Sequence, residues 1–380
     1  MRRRTQTRRK LDDNQKAASN GSDDGNVPVG SGSMVSMKGM RCAVTGGSGF
    51  VGQRLVEMAL QCGASLVVSF DISPQPQYSR GNAGEEDGTK TDEDAIADLI
   101  RQCEANGRLV YVQGDITKLE DVELMVCGGM GQQLKKPPKP VNEAVDIVFH
   151  IAALVGPFHK QEAYEQVNYQ GTVNVIEACK IHGVTKIVMS SSPSTRFDPM
   201  NLNINGLKED DLMFPDERNP PRGFTAEYAR TKAMGERRCR SENGSKVYNV
   251  SSRAQKRRGS SDDNPGTLMT VAVAPHQVYG PRDGLFLPNL LNAAGTGKLR
   301  IFGSGNNLIS MTHVDNYCHA LLLAGKQLFP GSKILGKFYI ATDGGSYQFW
   351  EIIDDAVQVG RLEKSKLINS GCQMRGHVQF

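Results

Sequence analysis

A short apolar run, Arg41-Cys-Ala-Val44, leads straight into Thr45-Gly-Gly-Ser-Gly-Phe-Val-Gly52. Residues 50–62 then take up helical spacing, with Val51, Leu55, Val56, Met58 and Ala59 on the apolar side. Gly63 follows the last periodic residue, as glycine often does past a helix end. Leu66-Val-Val-Ser-Phe70 reads as a second strand, and Asp71 closes it. Strand, glycine turn, helix, strand and acid, with the acid roughly 20 residues beyond the glycines, make one βαβ unit of the dinucleotide-binding kind. A helical crossover joins parallel strands, so this stretch already commits the chain to a parallel sheet.

The alternation continues. Residues 94–103 are helix-like, and Leu109-Val-Tyr-Val112 followed by Gly114-Asp115 is a third strand and its turn. Val145-Asp-Ile-Val-Phe149 is a fourth strand leading into His150-Ile-Ala-Ala153. Residues 164–182 form a long helix with Val167, Val173, Val175, Ile176 and Cys179 apolar. Lys186-Ile-Val-Met189 is a fifth strand running into Ser190-Ser-Ser192, residues 225–239 are a further helix, and residues 268–273 a sixth strand. Strands alternating with helices predict an α/β protein: a Rossmann-type, doubly wound parallel sheet with helices on both faces and right-handed crossovers. We assign residues 39–275 to this sheet domain. Polar or Pro/Gly-rich insertions fall near 73–91, 126–140 and 241–265. Residues 276–380, where spacing is less regular, are read as a smaller C-terminal substrate-binding lobe over the carboxyl edge of the sheet, and residues 1–38 as a disordered basic and polar tail.

Composition narrows the partners. The net charge of +4 is local: Arg2, Arg3, Arg4, Arg8, Arg9 and Lys10 open the chain, and a second cluster lies at 237–258. Neither is interleaved with aromatics, which disfavours a nucleic-acid partner. Asp12, Asp13, Asp23 and Asp24 argue against an organelle-targeting peptide, and no apolar segment follows the first arginines. No run reaches the roughly 18 apolar residues of a spanning helix. Eight cysteines are scattered without a CxxC, which suits a reducing compartment.

The residues that carry chemistry lie in the glycine loop, at strand ends and on two of the helices. Gly46, Gly49 and Gly52 allow a tight turn and close approach of the backbone to a pyrophosphate, with the following helix amides facing the anion. Asp71 is expected to accept from the adenosine ribose hydroxyls, and its charge repels a 2′-phosphate, so the cofactor expected is NAD. Asp115 is placed near the adenine, or simply in a Gly-Asp turn. Tyr228-Ala-Arg-Thr-Lys232 puts a phenol and an ammonium on one helix face. Lys232 is expected to lower the phenol pKa and hold the nicotinamide ribose, so that Tyr228 takes a proton from a substrate alcohol. Ser192, with Ser191 second, is the expected anchor for the substrate oxygen. Asn168 is a candidate for holding a relay water, and equally for helix packing. His313, Asp315 and His319 lack the spacing of a zinc helix, and no metal is expected.

Taken together, these residues resemble the extended short-chain dehydrogenase/reductases, and within them the 3β-hydroxysteroid dehydrogenase family, particularly its sterol-4α-carboxylate 3-dehydrogenase (decarboxylating) branch. The resemblance runs from about Met40 to Gly360 through TGGSGFVG (45–52), FHIAA (149–153), VNYQGTVNVIEAC (167–179), SSSPS (190–194), YARTK (228–232), PHQVYGPRD (275–283), GSGNNLISMTHVDN (303–316) and FYIATDGGSYQFWE (338–351). It implies NAD-dependent oxidation of a steroid or sterol 3β-hydroxyl to a ketone, with loss of carbon dioxide where a 4α-carboxylate is present. It also implies cofactor contacts from Phe50, Val51, Ala152, Pro275 and Lys232. Three departures stand out: Ala274 where arginine is usual before the proline, Pro193 directly after the serine, and an end at Phe380 where relatives continue into an apolar membrane-associating segment. The expected setting is cytoplasmic or peripheral to the endoplasmic reticulum membrane, with a homodimer allowed. Two other readings stay open: a nucleotide-sugar epimerase or another alcohol/ketone oxidoreductase on the same scaffold, and a non-catalytic NAD-binding interaction protein.

Overall fold

The computed structural model describes residues 35–76, 92–129, 144–156, 159–197, 199–200, 209, 212–215, 223–248, 266–301 and 304–369, with backbone alone for 92 and 360–369. The expected tail up to residue 34 and most of the three expected insertions lie outside the described residues. Among those described, the strands are β1 (Arg41–Thr45), β2 (Leu66–Asp71), β3 (Leu109–Gln113), β4 (Ile147–His150), β5 (Lys186–Ser190), β6 (Met269–Pro275), β7 (Gln277–Tyr279), β8 (Leu308–Ile309), β9 (Met311–His313), β10 (Phe338–Ala341) and β11 (Tyr347–Gln348). The helices are α1 (Phe50–Gln61), α2 (Asp92–Ala105), α3 (Leu119–Val126), α4 (161–182), α5 (Glu227–Ser241), α6 (Leu287–Gly295), α7 (Val314–Gln327) and α8 (Phe349–Asn369).

Seven strands pair in the order β10-β6-β5-β4-β1-β2-β3, every pairing parallel. The order reverses between β1 and β4, and a crevice opens at the carboxyl ends of strands beside such a reversal. Alternate side chains feed two cores, as the period of a strand requires. Cys42, Val44, Val67, Ile147, Phe149 and Val188 pack with α1, α2 and α7 on one face. Ala43, Val68, Phe70, Val148, Ile187 and Met189 pack with α3, α4 and α5 on the other. The sheet is therefore a doubly wound, Rossmann-type α/β sheet.

Several elements differ from the sequence reading. Met37, placed in the tail, is fully buried in the first core, and its amide donates to Cys62 O at 2.8 Å. Helix α3 was not read at all. Helix α4 is not uniform: it begins as α-helix, widens to a π-helical turn at Glu165–Gln170, and resumes as α-helix at Gly171–His182. The chain beyond Pro275 does not stay over the sheet edge, for β10 joins β6 as the outermost strand and α7 packs into the first core. What remains for the lobe is α6, α8, the β7–β9 pair and the β8–β11 pair. Among the described residues no helix is long and apolar enough to cross a membrane.

Candidate active site

The glycine loop joins β1 to α1 and its backbone dictates its composition. Gly46 sits at φ +72, where a side chain is strained. A Cβ on Gly52 would lie 1.9 Å from Gly46 O, so the helix can only start this close to the turn without one. Gly49 differs, since a Cβ there would meet only Gly46 O, at 3.3 Å. Internal packing demands that glycine far less, and an approaching ligand accounts for it better. Helix α1 has no capping side chain and no acid in its first turn, so its leading amides suit an anion. Asp71 ends β2 beside the loop. One carboxylate oxygen accepts from Ser48 N and the other from Ser73 N, both at 2.9 Å. Each oxygen keeps a second lone pair for a ribose hydroxyl. The loop and acid thus fit an adenine dinucleotide. Ala152 forms the wall behind the loop, with its Cα 3.0 Å from where a Cβ on Gly46 would stand. Asp115 is held in its turn, accepting from Thr117 N and Oγ1 at 2.9 Å.

Beyond the loop a cleft of about 1240 Å³ opens along the carboxyl edge of the sheet. That exceeds the roughly 300–1,000 Å³ of a single small-molecule site, giving room for two ligands. Phe50 and Val51 line it at the start of α1, Pro275 from β6, Ser192 from beyond β5, and Tyr228 and Lys232 from α5.

Three consecutive serines after β5 do three different things. Ser190 accepts at its carbonyl from Lys232 Nζ at 2.6 Å, and its hydroxyl meets Tyr317 OH at 2.7 Å. Ser191 Oγ is turned inward, donating to Glu236 Oε2 at 2.6 Å. Ser192 remains at the cleft beside Tyr228, capping the 3-10 turn Pro193–Arg196, with its hydroxyl 2.8 Å from Ser194 Oγ. Pro193 supports this placement, since proline suits the first position of such a turn.

Tyr228 and Lys232 lie one turn apart on α5, and burial acts on both. It raises the Tyr228 phenol above its ordinary value, only partly offset by the Ser192 hydrogen bond and reinforced by Tyr164. Lys232 is not among the causes of that shift, and its ammonium donates to Ser190 O. Burial pushes Lys232 down to about 8, and Glu236, the next turn of α5, opposes that. Asn168 lies in the π-helical turn rather than on the cleft. Its Oδ1 accepts from Leu154 N at 2.8 Å, and Nδ2 donates to Leu154 O at 3.2 Å and Thr231 Oγ1 at 3.1 Å. Both amide hydrogens are used, so the geometry favours its packing alternative over the water relay. His313 and Asp315 start α7. The histidine Nδ1 accepts from Asp315 N at 3.2 Å, and Arg54 pairs with Asp315 at 2.5 Å.

The sequence reading missed Arg196, Glu236 and Tyr317. The Arg196 guanidinium is stacked between Phe214 and Phe338, 3.9 and 4.0 Å from the ring centres. It donates to Glu236 Oε1 at 2.6 Å and Oε2 at 3.1 Å. Both side chains are essentially buried, at 1% and 0% exposure. This pair ties the Ser192 turn to the helix that carries Tyr228. A charged residue four beyond Lys232, on the same helix face, was the available signal for Glu236.

The fold and site define a class: a Rossmann-type protein whose glycine loop and Tyr-Lys helix meet in one cleft. The family model for the 3-beta hydroxysteroid dehydrogenase/isomerase family matches residues 43–367. The chain belongs to that family. Among curated relatives, it is 30% identical over 321 residues to the 3beta-hydroxysteroid-dehydrogenase/decarboxylase isoform 2 of Arabidopsis thaliana, covering 82% of this chain and 46% of that one. It is 29% identical to the decarboxylating sterol-4-alpha-carboxylate 3-dehydrogenase of Homo sapiens, covering 82% and 65%. The chain thus spans about half to two thirds of the length of these relatives. Among solved structures, the dTDP-glucose 4,6-dehydratase DesIV of Streptomyces venezuelae, crystallised with NAD, superposes with a TM-score of 0.56 at 20% identity, covering 84% and 80%. At that identity the likeness concerns the fold.

Proposed function

We propose that this chain oxidises the 3β-hydroxyl of a steroid or sterol to a 3-ketone, with NAD as the oxidant. The observation that carries the reading is that Ser192, Tyr228 and Lys232 line the same cleft as Phe50 and Val51, which follow the glycine loop. NAD, when bound, supplies the hydride acceptor and a positive ring that favours phenolate. Gly46, Gly49, Gly52 and the α1 amides would hold its pyrophosphate, Asp71 its adenosine ribose, and Phe50, Val51, Ala152 and Pro275 the walls along it. Family membership supports this cofactor, as does its presence in structures of the same fold.

Ser192 donates to the substrate oxygen and orients it toward Tyr228. As the carbon gives up its hydride, Tyr228 accepts the hydroxyl proton, which balances the conversion of alcohol to ketone. Lys232 stays largely an ammonium near neutral pH and keeps the carboxyl end of β5 against α5. Along the cleft Leu212, Leu285, Phe286 and Ile340 provide apolar wall, Asn307 and Ser310 provide uncharged hydrogen-bonding groups, and the carboxylates of Glu209 and Asp283 are held by backbone amides. That lining suits a rigid, largely apolar alcohol.

Decarboxylation is a second reading, favoured by the decarboxylating activity named for the plant and animal relatives. Oxidation of a 4α-carboxy-3β-alcohol gives a β-keto acid, which loses carbon dioxide through its enol without another catalytic group. The test is NADH formation by the full chain on three substrate sets: uncharged 3β-hydroxysteroids, sterol 4α-carboxylic acids and UDP-sugars. Turnover of either steroid set supports the reading, and carbon dioxide release from the acids assigns decarboxylation. Turnover of UDP-sugars alone, or of nothing, contradicts it.

A further inference from the structure

His150 ends β4 inside the FHIAA stretch, and no step above uses it. Its ring is 2% exposed. Nδ1 lies 2.9 Å from Thr45 Oγ1, and Nε2 lies 2.9 Å from Thr172 Oγ1. The partners fix which nitrogen carries the proton. Thr172 gives its single hydroxyl hydrogen to the carbonyl oxygen of Asn168, at 2.8 Å. Toward His150 it can only accept, so Nε2 is the N–H. At the other end Thr45 Oγ1 already accepts from the amides of Ile151 at 3.0 Å and Ala152 at 3.1 Å. Its own hydrogen must then point at Nδ1, which is the acceptor. The two ends demand the same neutral tautomer independently. Burial, with Lys232 as the charged neighbour, pushes the imidazole down to about 3, so it does not become a double donor near neutral pH.

The bonds continue in both directions from the ring. Asn168, one turn before Thr172, clamps Leu154 and reaches Thr231 Oγ1 on α5, beside Lys232. Gly235 lets α5 settle on the same spot: a Cβ there would stand 2.6 Å from Asn168 O and 3.0 Å from Thr172 Oγ1. The widened π-helical turn is what brings Asn168 and Thr172 into this arrangement, in keeping with the placing of such turns at functional sites. At the other end the turn held by Thr45 contains Ala152, the wall behind Gly46.

We propose that His150 is a positioning residue serving both halves of the site: through Nδ1 and Thr45 it sets the turn behind the glycine loop, and through Nε2 and Thr172 it sets the kinked helix on which α5 rests. The functional consequence rests on the NAD reading; the tautomer does not.

Two substitutions separate the halves. His150→Asn places an amide where Nδ1 stands, and His150→Gln reaches where Nε2 stands. For His150→Asn, NAD affinity measured by equilibrium binding stays within about threefold of the wild type while kcat falls about tenfold. For His150→Gln, NAD affinity falls about tenfold and kcat changes less. Equal losses of both quantities in both variants overturn the division of labour. Should either variant fold poorly, the wild-type chain itself decides. Imidazole nitrogens of the full-length protein labelled with 15N-histidine are read by NMR without NAD. The expected His150 signal is an Nε2–H ring with bare Nδ1, unchanged from about pH 8 to about pH 5. An Nδ1–H ring, or titration within that window, overturns the proposal whether or not NAD binds. Failure of the function reading would show separately, as a wild-type chain with the expected tautomer and no NAD affinity.

Discussion

On the sheet side of the cleft, Ser190, Ser191 and Ser192 each have a different partner, and the Arg196–Glu236 pair beneath them is shut away from water between two aromatic rings. Across the cleft, helix α6 buries none of its residues, and the wall residues Leu285 and Leu308 stand 67% and 56% exposed. In the sheet wall the polar groups are tied to named partners, and Glu236 gathers Ser191, Arg196 and Arg240. The lobe wall is held by few contacts, which is the usual signature of a segment that opens at low cost. The contrast suits a division in which the buried wall sets proton and hydride geometry and the loose wall sets which alcohol is accepted.

The sharpest way to break the comparison is at the buried pair. Arg196→Met leaves Glu236 buried without its main cation, and we expect a loss of about 3–5 kcal/mol of stability in chemical denaturation. A loss under about 1 kcal/mol would mean that the sheet wall is no more constrained than the lobe. Next in size is Gly52→Ala. Its methyl group would sit against Gly46 O, so the glycine loop must shift, costing about 1–3 kcal/mol and lowering NAD affinity by at least about tenfold. Unchanged NAD binding would remove the loop from the cofactor site.

A pH titration of stability probes the same wall through Lys232. Its folded pKa of about 8 lies below the ordinary 10.5. Within that window the unfolded chain holds a proton that the folded chain has released, so Lys232 contributes a rise of stability with pH of as much as about 3 kcal/mol, set against the fall from the buried thiols of Cys127 and Cys239, whose raised pKa values act with the opposite sign. Lys232→Met should flatten that rise, and an unchanged slope would refute the assignment. The smallest effect is expected in the lobe. Leu285→Ser should move stability by less than about 0.5 kcal/mol, as exposed positions do, while raising KM for the proposed steroid substrate several-fold at unchanged NAD affinity. A large stability loss there would erase the contrast between the walls.

The difference between the walls also explains what could be read from the sequence. Gly46 and Gly52 were legible because the local backbone demands glycine there, and Asp71 and the Tyr228–Lys232 pair because a strand end and a one-turn helix spacing can be read locally. Ser192 was chosen over Ser191 by motif, and the structure turns Ser191 inward to Glu236. The π-helical turn was hidden because one extra residue in a turn leaves the apolar spacing of residues 164–182 nearly intact. Arg196 reads as a loop residue in any single sequence, since the rings that cover it, Phe214 and Phe338, come from distant segments. Strand β10 is short and mostly half exposed, with no alternation strong enough to announce its return to the sheet.

The measurement that bears most directly on the account is Tyr228→Phe in the full chain, with NAD affinity and NADH formation read on the same preparation. The substitution removes only the phenol oxygen. The account predicts NAD affinity within about threefold of the wild type and turnover lower by at least about 100-fold. Turnover near the wild-type rate, with NAD bound normally, would contradict it.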